Sequence, residues 1–306
     1  MADKLAASLF HNLREKVLKL PDACLVFPAH GAGSLCGKAM GDKRSSTIGY
    51  ERLFNAALLH GTEKEFKAAL LDGMPEAPDH FARCSDINRA GPTPLAQLPD
   101  PSPLTPSQAR DAIENGHIAV DGREAGAFGG GHIPGAYHVV SGAMFSTFAG
   151  WVLPPDKPIL LVAESDDHIP ALTARLRRVG LDNVSGYLAG GMEAWIFAGL
   201  PAAQMPQVSV HELKAMLDGG EPVCIVDVRT QGEWDGGHIE GALHIPFSAA
   251  RTRYGEIPPD TKVAMVCRTG GRASLGGSIL KQHGVRDVAV ISGGMTAWNA
   301  AGFSAS

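Results

Sequence analysis

The sequence predicts an α/β protein in which two copies of one small parallel-sheet domain follow a different N-terminal segment. Two observations support this prediction: one set of motifs recurs along the chain, and within each copy short apolar runs alternate with helical patterns. Strands that alternate with helices form parallel sheets that are covered on both faces. A chain of 306 residues has room for two or three such units.

The N-terminal segment opens with a predicted amphipathic helix. Leu5, Leu9 and Leu13 recur at helical spacing, and the continuous apolar core of a signal peptide is absent from this stretch. Proline-rich breaks at 91–106 and 199–206 then divide the chain. We therefore predict three domains, at residues 1–95, 103–200 and 207–303.

The second and third domains carry the same motifs in the same order. Val-Asp-Gly-Arg at 120–123 recurs 106 residues later as Val-Asp-Val-Arg at 226–229. The further shared motifs are Gly-His-Ile-x-Gly-Ala at 131–136 and 237–242, and Gly-Gly-Met-x-Ala-Trp at 190–195 and 293–298. Because the order is kept throughout, we interpret the two domains as an internal repeat.

Local patterns place helices and strands within each copy. Thr105 to Gln108 and Ser209 to Glu212 are capping-box patterns, which mark the start of a helix. In the third domain, apolar runs at 224–228, 263–266 and 288–291 predict strands, and residues 273–283 predict a helix.

Composition and charge exclude several classes of protein. No stretch reaches the roughly 18 apolar residues of a membrane-spanning helix, and a net charge of -5 without a long basic run argues against nucleic-acid binding. The five cysteines are odd in number, scattered and without a C-x-x-C pair, which predicts a reducing compartment, the cytoplasm, rather than a disulfide framework.

The strongest candidate site is the sequence Cys-Arg-Thr-Gly-Gly-Arg at 267–272, between a predicted strand and a predicted helix. Such a loop presents unpaired N–H groups and the positive end of the helix dipole. Gly270 and Gly271 let the backbone amides turn inward without Cβ clashes, and Arg268 and Arg272 add positive charge. This setting favours the thiolate form of Cys267, which predicts a nucleophile.

The other cysteines lack such neighbours. Cys24 and Cys224 lie in apolar runs and are predicted to be core residues, while Cys36 and Cys84 are predicted to lie in loops.

The middle copy differs at the decisive position. Alignment of the repeat puts Ala163 opposite Cys267, and the loop continues Glu-Ser-Asp-Asp at 164–167. Carboxylates there would repel the anions that the third copy attracts. Ser165 has no evident base, so an inactive packing or docking domain is the favoured interpretation.

These motifs resemble the rhodanese family over both copies. The resemblance implies that Cys267 carries a persulfide and that the backbone of Arg268, Thr269, Gly270, Gly271 and Arg272 cradles it, with the two arginines holding the donor anion. It also implies that Asp227 and Arg229 brace the loop; a purely structural ion pair is the alternative for these two residues.

The first segment resembles the C-terminal end of the metallo-β-lactamase-fold domain of persulfide dioxygenase-like proteins. The residues that carry this resemblance are Val-Phe-Pro-Ala-His-Gly at 26–31 and Ser-Ser-Thr-Ile-Gly-Tyr at 45–50. His30 matches a histidine next to the family's metal site. The His-x-His-x-Asp-His metal motif is absent, however, and the twelve histidines include no H-x-H pair, so we expect no metal site. A glycine-rich stretch at 31–37 does not match the P-loop spacing.

The resulting prediction is a sulfurtransferase that moves sulfane sulfur from thiosulfate or a persulfide to a thiol or cyanide, without a cofactor. The predicted partners are a small sulfur-containing anion and a thiol acceptor, with a homodimer or a metal-dependent dioxygenase as candidate protein partners. One alternative is a non-catalytic docking or sulfur-relay module that works with a separate dioxygenase. Another is a thiol phosphatase or arsenate reductase, which the short spacing of four residues between Cys267 and Arg272 disfavours.

Overall fold

The structure is a computed structural model that describes residues 2–30, 43–73 and 78–306. It divides into two compact units, Met1–Ala77 and Pro78–Ser306. The glycine-rich stretch at 31–37, with Cys36, lies outside the described residues. Among the helices of the described ranges, none has both the length and the apolar character that crossing a bilayer requires.

The first unit consists mainly of helices. Its elements are helices α1 (Ala2–Glu15), α2 (Ile48–Phe54) and α3 (Glu63–Leu71) and the antiparallel strands β1 (Leu25–Val26) and β2 (Ser46–Thr47). The predicted N-terminal helix is confirmed as α1. It packs through Ala6, which is buried, and Phe10, whose ring lies 5.5 Å from that of Phe66. Leu5 and Leu9 of the predicted apolar face are 64% and 43% exposed.

The second unit begins with helix α4 (His80–Ala90). The prediction that Cys84 lies in a loop is wrong, because Cys84 is in the middle of this helix. Arg83 of α4 donates hydrogen bonds to the carbonyl of Val179, at 2.8 and 3.1 Å. The helix is therefore stabilised by contacts with the middle copy, which its own sequence does not indicate.

The middle copy is a five-stranded parallel sheet with helices between its strands. Its strands are β3 (Ser102–Leu104), β4 (Ile118–Asp121), β5 (Tyr137–His138), β6 (Ile159–Val162) and β7 (Val184–Leu188), in the order β3-β7-β6-β4-β5. Its helices are α5 (Pro106–Glu114), α6 (Ala125–Gly130), α7 (Phe145–Val152), α8 (Ile169–Arg177) and α9 (Gly191–Phe197).

The third copy repeats this architecture. Its parallel strands are β8 (Gln207–Val208), β9 (Val223–Asp227), β10 (Leu243–His244), β11 (Lys262–Val266) and β12 (Val288–Ile291), in the equivalent order β10-β9-β11-β12-β8. Its helices are α10 (Val210–Asp218), α11 (Gln231–Asp235), α12 (Ala250–Arg253), α13 (Gly271–Gln282) and α14 (Gly294–Ala300).

The capping boxes predicted at the start of each copy are formed. The Thr105 and Ser209 side chains accept hydrogen bonds from the backbone N–H groups of Gln108 and Glu212, whose side chains bind back to the caps. These reciprocal bonds satisfy N–H groups that a helix start leaves unpaired. They explain why the first helix of each copy begins at the predicted residue.

Helix α13 joins the two copies, because the third copy and the middle copy cover it on different sides. A Cβ built on Gly276 would lie 3.1 Å from Met265 Cε in the sheet of the third copy. A Cβ built on Gly277 would lie 2.7 Å from Sδ of Met205, which belongs to the segment between the two copies. On the side of the middle copy, the backbone N–H of His138 donates to Ser278 Oγ at 3.1 Å. The helix that leaves the candidate loop is thus held by both domains.

Candidate functional site

Cys267 directly follows β11, the central strand of the third copy, at the carboxyl end of the sheet. Helix α13 begins at Gly271, two residues earlier than predicted, so that the loop opens directly into a helix of 12 residues. Cys267 is 1% exposed and belongs to the apolar core, but its Sγ accepts a hydrogen bond from the Gly270 N–H at 3.0 Å. The sulfur therefore faces the loop and the N-terminal end of α13.

The two loop glycines have different roles. Gly270 adopts a φ of +122°, which favours glycine, and a Cβ there would meet no atom within 4 Å. Gly271 has an ordinary backbone, and a Cβ there would make a normal contact of 3.5 Å with Val140. The backbone freedom expected of the two glycines is thus used at Gly270, while the conformation of Gly271 is one that other residues also adopt. Glycine is needed at position 270 because of its backbone conformation. This conformation points the N–H of Gly270 at Cys267 Sγ.

The carbonyl side of the loop is fixed by helix α14. The N–H groups of Met295 and Thr296 donate to the carbonyls of Cys267 and Arg268, at 2.8 and 3.0 Å. Gly294 has a φ of +49°, and a Cβ on it would lie 2.1 Å from the Cys267 carbonyl oxygen. The second glycine of Gly-Gly-Met-x-Ala-Trp is thus needed because α14 approaches the loop backbone this closely.

The two loop arginines differ in their surroundings. Arg268 and its neighbour Thr269 are exposed, and neither side chain has a hydrogen bond or ion pair with the part of the chain that the structure describes. Arg272 makes a bidentate pair with Glu233 of α11, at 2.6 and 2.7 Å. Hydrogen bonds from Arg272, aided by those from Thr230, lower the pKa of Glu233 to about 2. Glu233 therefore stays ionised at neutral pH.

Arg272 also interacts electrostatically with Cys267. Its pKa is raised, first by the hydrogen bonds to Glu233 and more weakly by Cys267 and Asp227. The Arg272 side chain is only 16% exposed. The structure thus places one cation, Arg272, on Glu233 in the first turn of α13, and a second, Arg268, at the surface of the loop with no partner among the described residues.

Asp227 and Arg229 form a buried ion pair at the end of β9, with their closest atoms 2.7 Å apart. The remaining contact of the guanidinium is with the Gly237 carbonyl, at 2.8 Å. Asp121 and Arg123 repeat this arrangement, with Gly131 as the acceptor at 2.7 Å. Because the copy without a cysteine keeps the same pair, the geometry is that of a support for the turn after the helix.

The histidines of the shared motif also occupy structural positions. His238 stacks on Trp234 with ring centroids 3.5 Å apart, and His132 stacks on Phe128 at 3.8 Å. Each ring makes its hydrogen bond with a backbone carbonyl of the preceding helix. The repeat of this stack in both copies, with and without the cysteine, indicates a packing role.

In the middle copy the equivalent loop has no thiol and carries acidic side chains. Ala163 directly follows β6 and is buried, and exposed Glu164 comes next, where the third copy has Arg268. Ser165 Oγ accepts the N–H of Asp167 at 3.4 Å, and Asp166 accepts the N–H of Gly190. A cavity of about 490 Å³ lies at this sheet edge and is lined by residues of α9 and by Arg123, Ala163 and Glu164. Its walls carry no thiol.

The remaining cysteines lack the surroundings of Cys267. Cys224 is half-buried in β9, where burial raises the pKa of its thiol. Cys24 is likewise only half-buried, less than a core residue would be. Within the described ranges, no group of three or more histidine, cysteine or acidic side chains is arranged to hold a metal ion.

Sequence reasoning missed two residues at this site, Glu233 and Gly294. Glu233 stands three residues after Thr230, a capping-box spacing that was detectable, although its pairing with Arg272 was not. Gly294 was part of a quoted motif, and only the structure shows its contact with the Cys267 carbonyl.

Comparisons with known proteins agree with this architecture. The chain is 35% identical over 92 residues to a sulfurtransferase of Allochromatium vinosum, covering 30% of this chain and 86% of that protein. It is 30% identical over 94 residues to the thiosulfate sulfurtransferase GlpE of Shewanella oneidensis, covering 31% of this chain and 92% of that protein. The chain also matches a putative sulfur carrier protein of Bacillus subtilis and a probable adenylyltransferase/sulfurtransferase of Mycobacterium tuberculosis. It spans only 52% and 25% of the length of these two proteins.

A solved structure extends the similarity beyond a single domain. The metallo-beta-lactamase from Staphylococcus aureus matches with a TM-score of 0.50 and 32% identity, over 60% of this chain and 50% of that one. Together with the motifs of the first segment, this similarity identifies a metallo-β-lactamase-like segment ahead of the tandem domains. The sequence model of the rhodanese-like domain matches residues 105–198 and 209–301, more than half of the chain. The chain therefore belongs to the rhodanese-like family, with two domains of that family in tandem.

Proposed function

We propose that this protein is a sulfurtransferase that carries sulfane sulfur on Cys267 as a persulfide. The observation that supports the proposal most is the hydrogen bond of 3.0 Å from the Gly270 N–H to Cys267 Sγ, at the start of a 12-residue helix. Backbone donors and the positive end of a helix stabilise negative charge on sulfur. The same groups serve the thiolate before transfer and the persulfide after it.

The reaction balances without a cofactor. The Cys267 thiolate attacks the outer sulfur of thiosulfate, a new S–S bond forms, and the bond to the sulfite sulfur breaks as sulfite leaves with the electron pair. The enzyme persulfide anion then gives its outer sulfur to cyanide or to an acceptor thiolate, which releases thiocyanate or a new persulfide and restores the Cys267 thiolate. Charge is conserved in each step, and no oxidant is consumed.

The donor proposed here is a small anion, and two features support it. The exposed Arg268 and the N–H groups at the start of α13 both favour negative charge. The relative from Shewanella oneidensis is named a thiosulfate sulfurtransferase. Thiosulfate is therefore the first donor to test, and a low-molecular-weight persulfide is the second.

The test compares two cysteine variants. Cys267→Ser is expected to abolish sulfur transfer from thiosulfate to cyanide, because the hydroxyl cannot form a persulfide. Cys224→Ser removes a half-buried thiol of the adjacent strand and is expected to retain most of the activity. Thiocyanate formation measures the outcome. Equal loss of activity in both variants, with both still folded, would contradict the assignment.

A further inference from the structure

The pair between Glu233 and Arg272 ties two helix starts together beside the cysteine. Glu233 lies on α11, which follows strand β9, and Arg272 lies in the first turn of α13, which follows the neighbouring strand β11. The two hydrogen bonds, at 2.6 and 2.7 Å, engage both terminal nitrogens of the guanidinium. A bidentate pair of this kind fixes orientation as well as charge.

Glu233 also caps the start of its own helix, α11. Its carboxylate accepts hydrogen bonds from the Thr230 N–H and hydroxyl, at 3.2 and 3.0 Å, and completes a capping box. The same box is formed by Ser209 and Glu212 on α10, where the structure shows no arginine on the glutamate. Capping therefore does not explain why Glu233 also holds Arg272.

The internal repeat provides a comparison within the same chain. Alignment of the shared motifs places Ala127 at the position of Glu233, and the loop alignment places His168 at the position of Arg272. The middle copy thus lacks both members of the pair together with the cysteine. It keeps the Asp121–Arg123 pair, the stacked histidine and the glycine of the closing motif. The features that both copies keep therefore have a structural role. The Glu233–Arg272 pair, in contrast, is present in the copy that has Cys267 and missing from the copy that lacks it.

We propose that Glu233 is a positioning residue for sulfur transfer, which acts by fixing the Arg272 guanidinium in the first turn of α13, the helix whose cap residue Gly270 donates its N–H to Cys267 Sγ. This inference rests on the proposed function and adds to it. The family resemblance implies that Arg272 holds the donor anion, but both of its terminal nitrogens donate to Glu233, so we assign it a positioning role instead. Arg268 receives the donor, while the held Arg272 and the N–H groups of the loop stabilise the sulfur that gains charge.

The experiment uses the full chain and measures persulfide formation at a series of thiosulfate concentrations by rapid quench and intact mass. Glu233→Gln keeps an acceptor for the capping box but weakens the pair with Arg272. Its maximal rate is expected to fall by about tenfold to a hundredfold, as reactive groups tolerate little misplacement. Its half-saturating thiosulfate concentration is expected to change by less than about twofold, because Glu233 does not touch the donor.

Glu212→Gln is the matched control, because it makes the same substitution in the same type of capping box. It is expected to transfer sulfur at the wild-type rate and to melt at a higher temperature than Glu233→Gln, because it loses no ion pair with an arginine. In a double-mutant cycle, Glu233→Gln is expected to have no further effect once Arg272→Gln is present.

Three outcomes would overturn the inference. The first is a Glu233→Gln variant as fast as Glu212→Gln, and the second is fully additive effects of Glu233→Gln and Arg272→Gln. The third is a change confined to the half-saturating concentration, which would make Glu233 part of donor binding. If the wild-type chain takes up no sulfur at all, the proposed function itself is wrong, and the role of Glu233 in it is wrong as well.

Discussion

Arg268 and Arg272 stand four positions apart on one loop, and their surroundings give them different tasks. Arg272 is bound to Glu233 and largely covered, whereas Arg268 is exposed and has no partner among the described residues. An exposed, unpaired guanidinium can bind an incoming anion without first breaking a contact. We therefore propose donor capture as the task of Arg268 and orientation as the task of Arg272.

Removal of the Arg268 side chain is expected to weaken donor binding with little effect on stability. Arg268→Ala should raise the half-saturating thiosulfate concentration by about twofold to fivefold, the size of one solvent-exposed ionic contact. The effect should shrink at high salt, because exposed charges are screened. Arg286→Ala removes an exposed arginine of the same domain and serves as the control for net charge. Equal kinetics of the two variants would argue against the role of Arg268.

Two helices of different length define the geometry of the Cys267 loop. Helix α13 supplies the N–H of its cap residue Gly270 to the sulfur side, and α14 supplies N–H groups to the carbonyl side. The loop is thus held from both sides by backbone hydrogen bonds, which do not depend on side-chain rotamers. In the middle copy a Cβ on Gly191 would lie 3.1 Å from the Ala163 carbonyl oxygen, so the closing glycine lets the helix approach the loop there as well.

The close approach of α14 can be tested at Gly294. In Gly294→Ala, the Cβ would lie 2.1 Å from the Cys267 carbonyl oxygen and 2.9 Å from the carbonyl carbon of Arg268, so the backbone has to shift. We expect a loss of about 3 kcal/mol or more in the free energy of unfolding. Sulfur uptake by the folded fraction should also fall.

Gly302 is the control for backbone strain alone. It has a φ of +74°, and a Cβ there would meet nothing within 4 Å. Gly302→Ala is therefore expected to cost only about 1–2 kcal/mol, the intrinsic penalty of a left-handed conformation. Denaturant unfolding of both variants measures the difference. Similar losses at the two positions would show that the contact with the Cys267 carbonyl is unimportant.

At the scale of the whole molecule, the two copies use one scaffold with two kinds of loop. The sheets have equivalent strand orders, and the Asp–Arg pairs and stacked rings are repeated. The loops differ in charge, since exposed Glu164, Asp166 and Asp167 occupy the edge where the third copy has Arg268. Helix α13 leaves the candidate site and packs on the middle copy, which therefore supports the loop from outside.

Restoring a thiol to the middle copy is not expected to restore chemistry. In the double variant Ala163→Cys with Cys267→Ser, thiosulfate should add no sulfur at position 163. The surrounding carboxylates repel the donor and the thiolate, and the loop lacks the glycine at which the third copy turns its amide toward sulfur. Peptide mapping after thiosulfate treatment measures the result, with Cys267→Ser alone as the control. Sulfur found at position 163 would contradict the importance of the loop.

The fold and the reactive cysteine could be predicted from the sequence because both depend on local patterns. Apolar runs gave the central strands of the third copy within about a residue or two, and the motif around Cys267 gave the start of α13 within two. The pair of Glu233 and Arg272 could not be predicted, since its members are 39 residues apart and meet only across adjacent strands. The helix that contains Cys84 depends on its contact with Val179 and was missed for the same reason.

The most direct test of the central claim is the intact mass of the wild-type chain after thiosulfate treatment, followed by peptide mapping. The account predicts the gain of one sulfur atom, located on Cys267, and its loss when cyanide is added. No gain in mass, or a sulfur atom that maps to another cysteine, would contradict the claim that Cys267 carries the transferred sulfur.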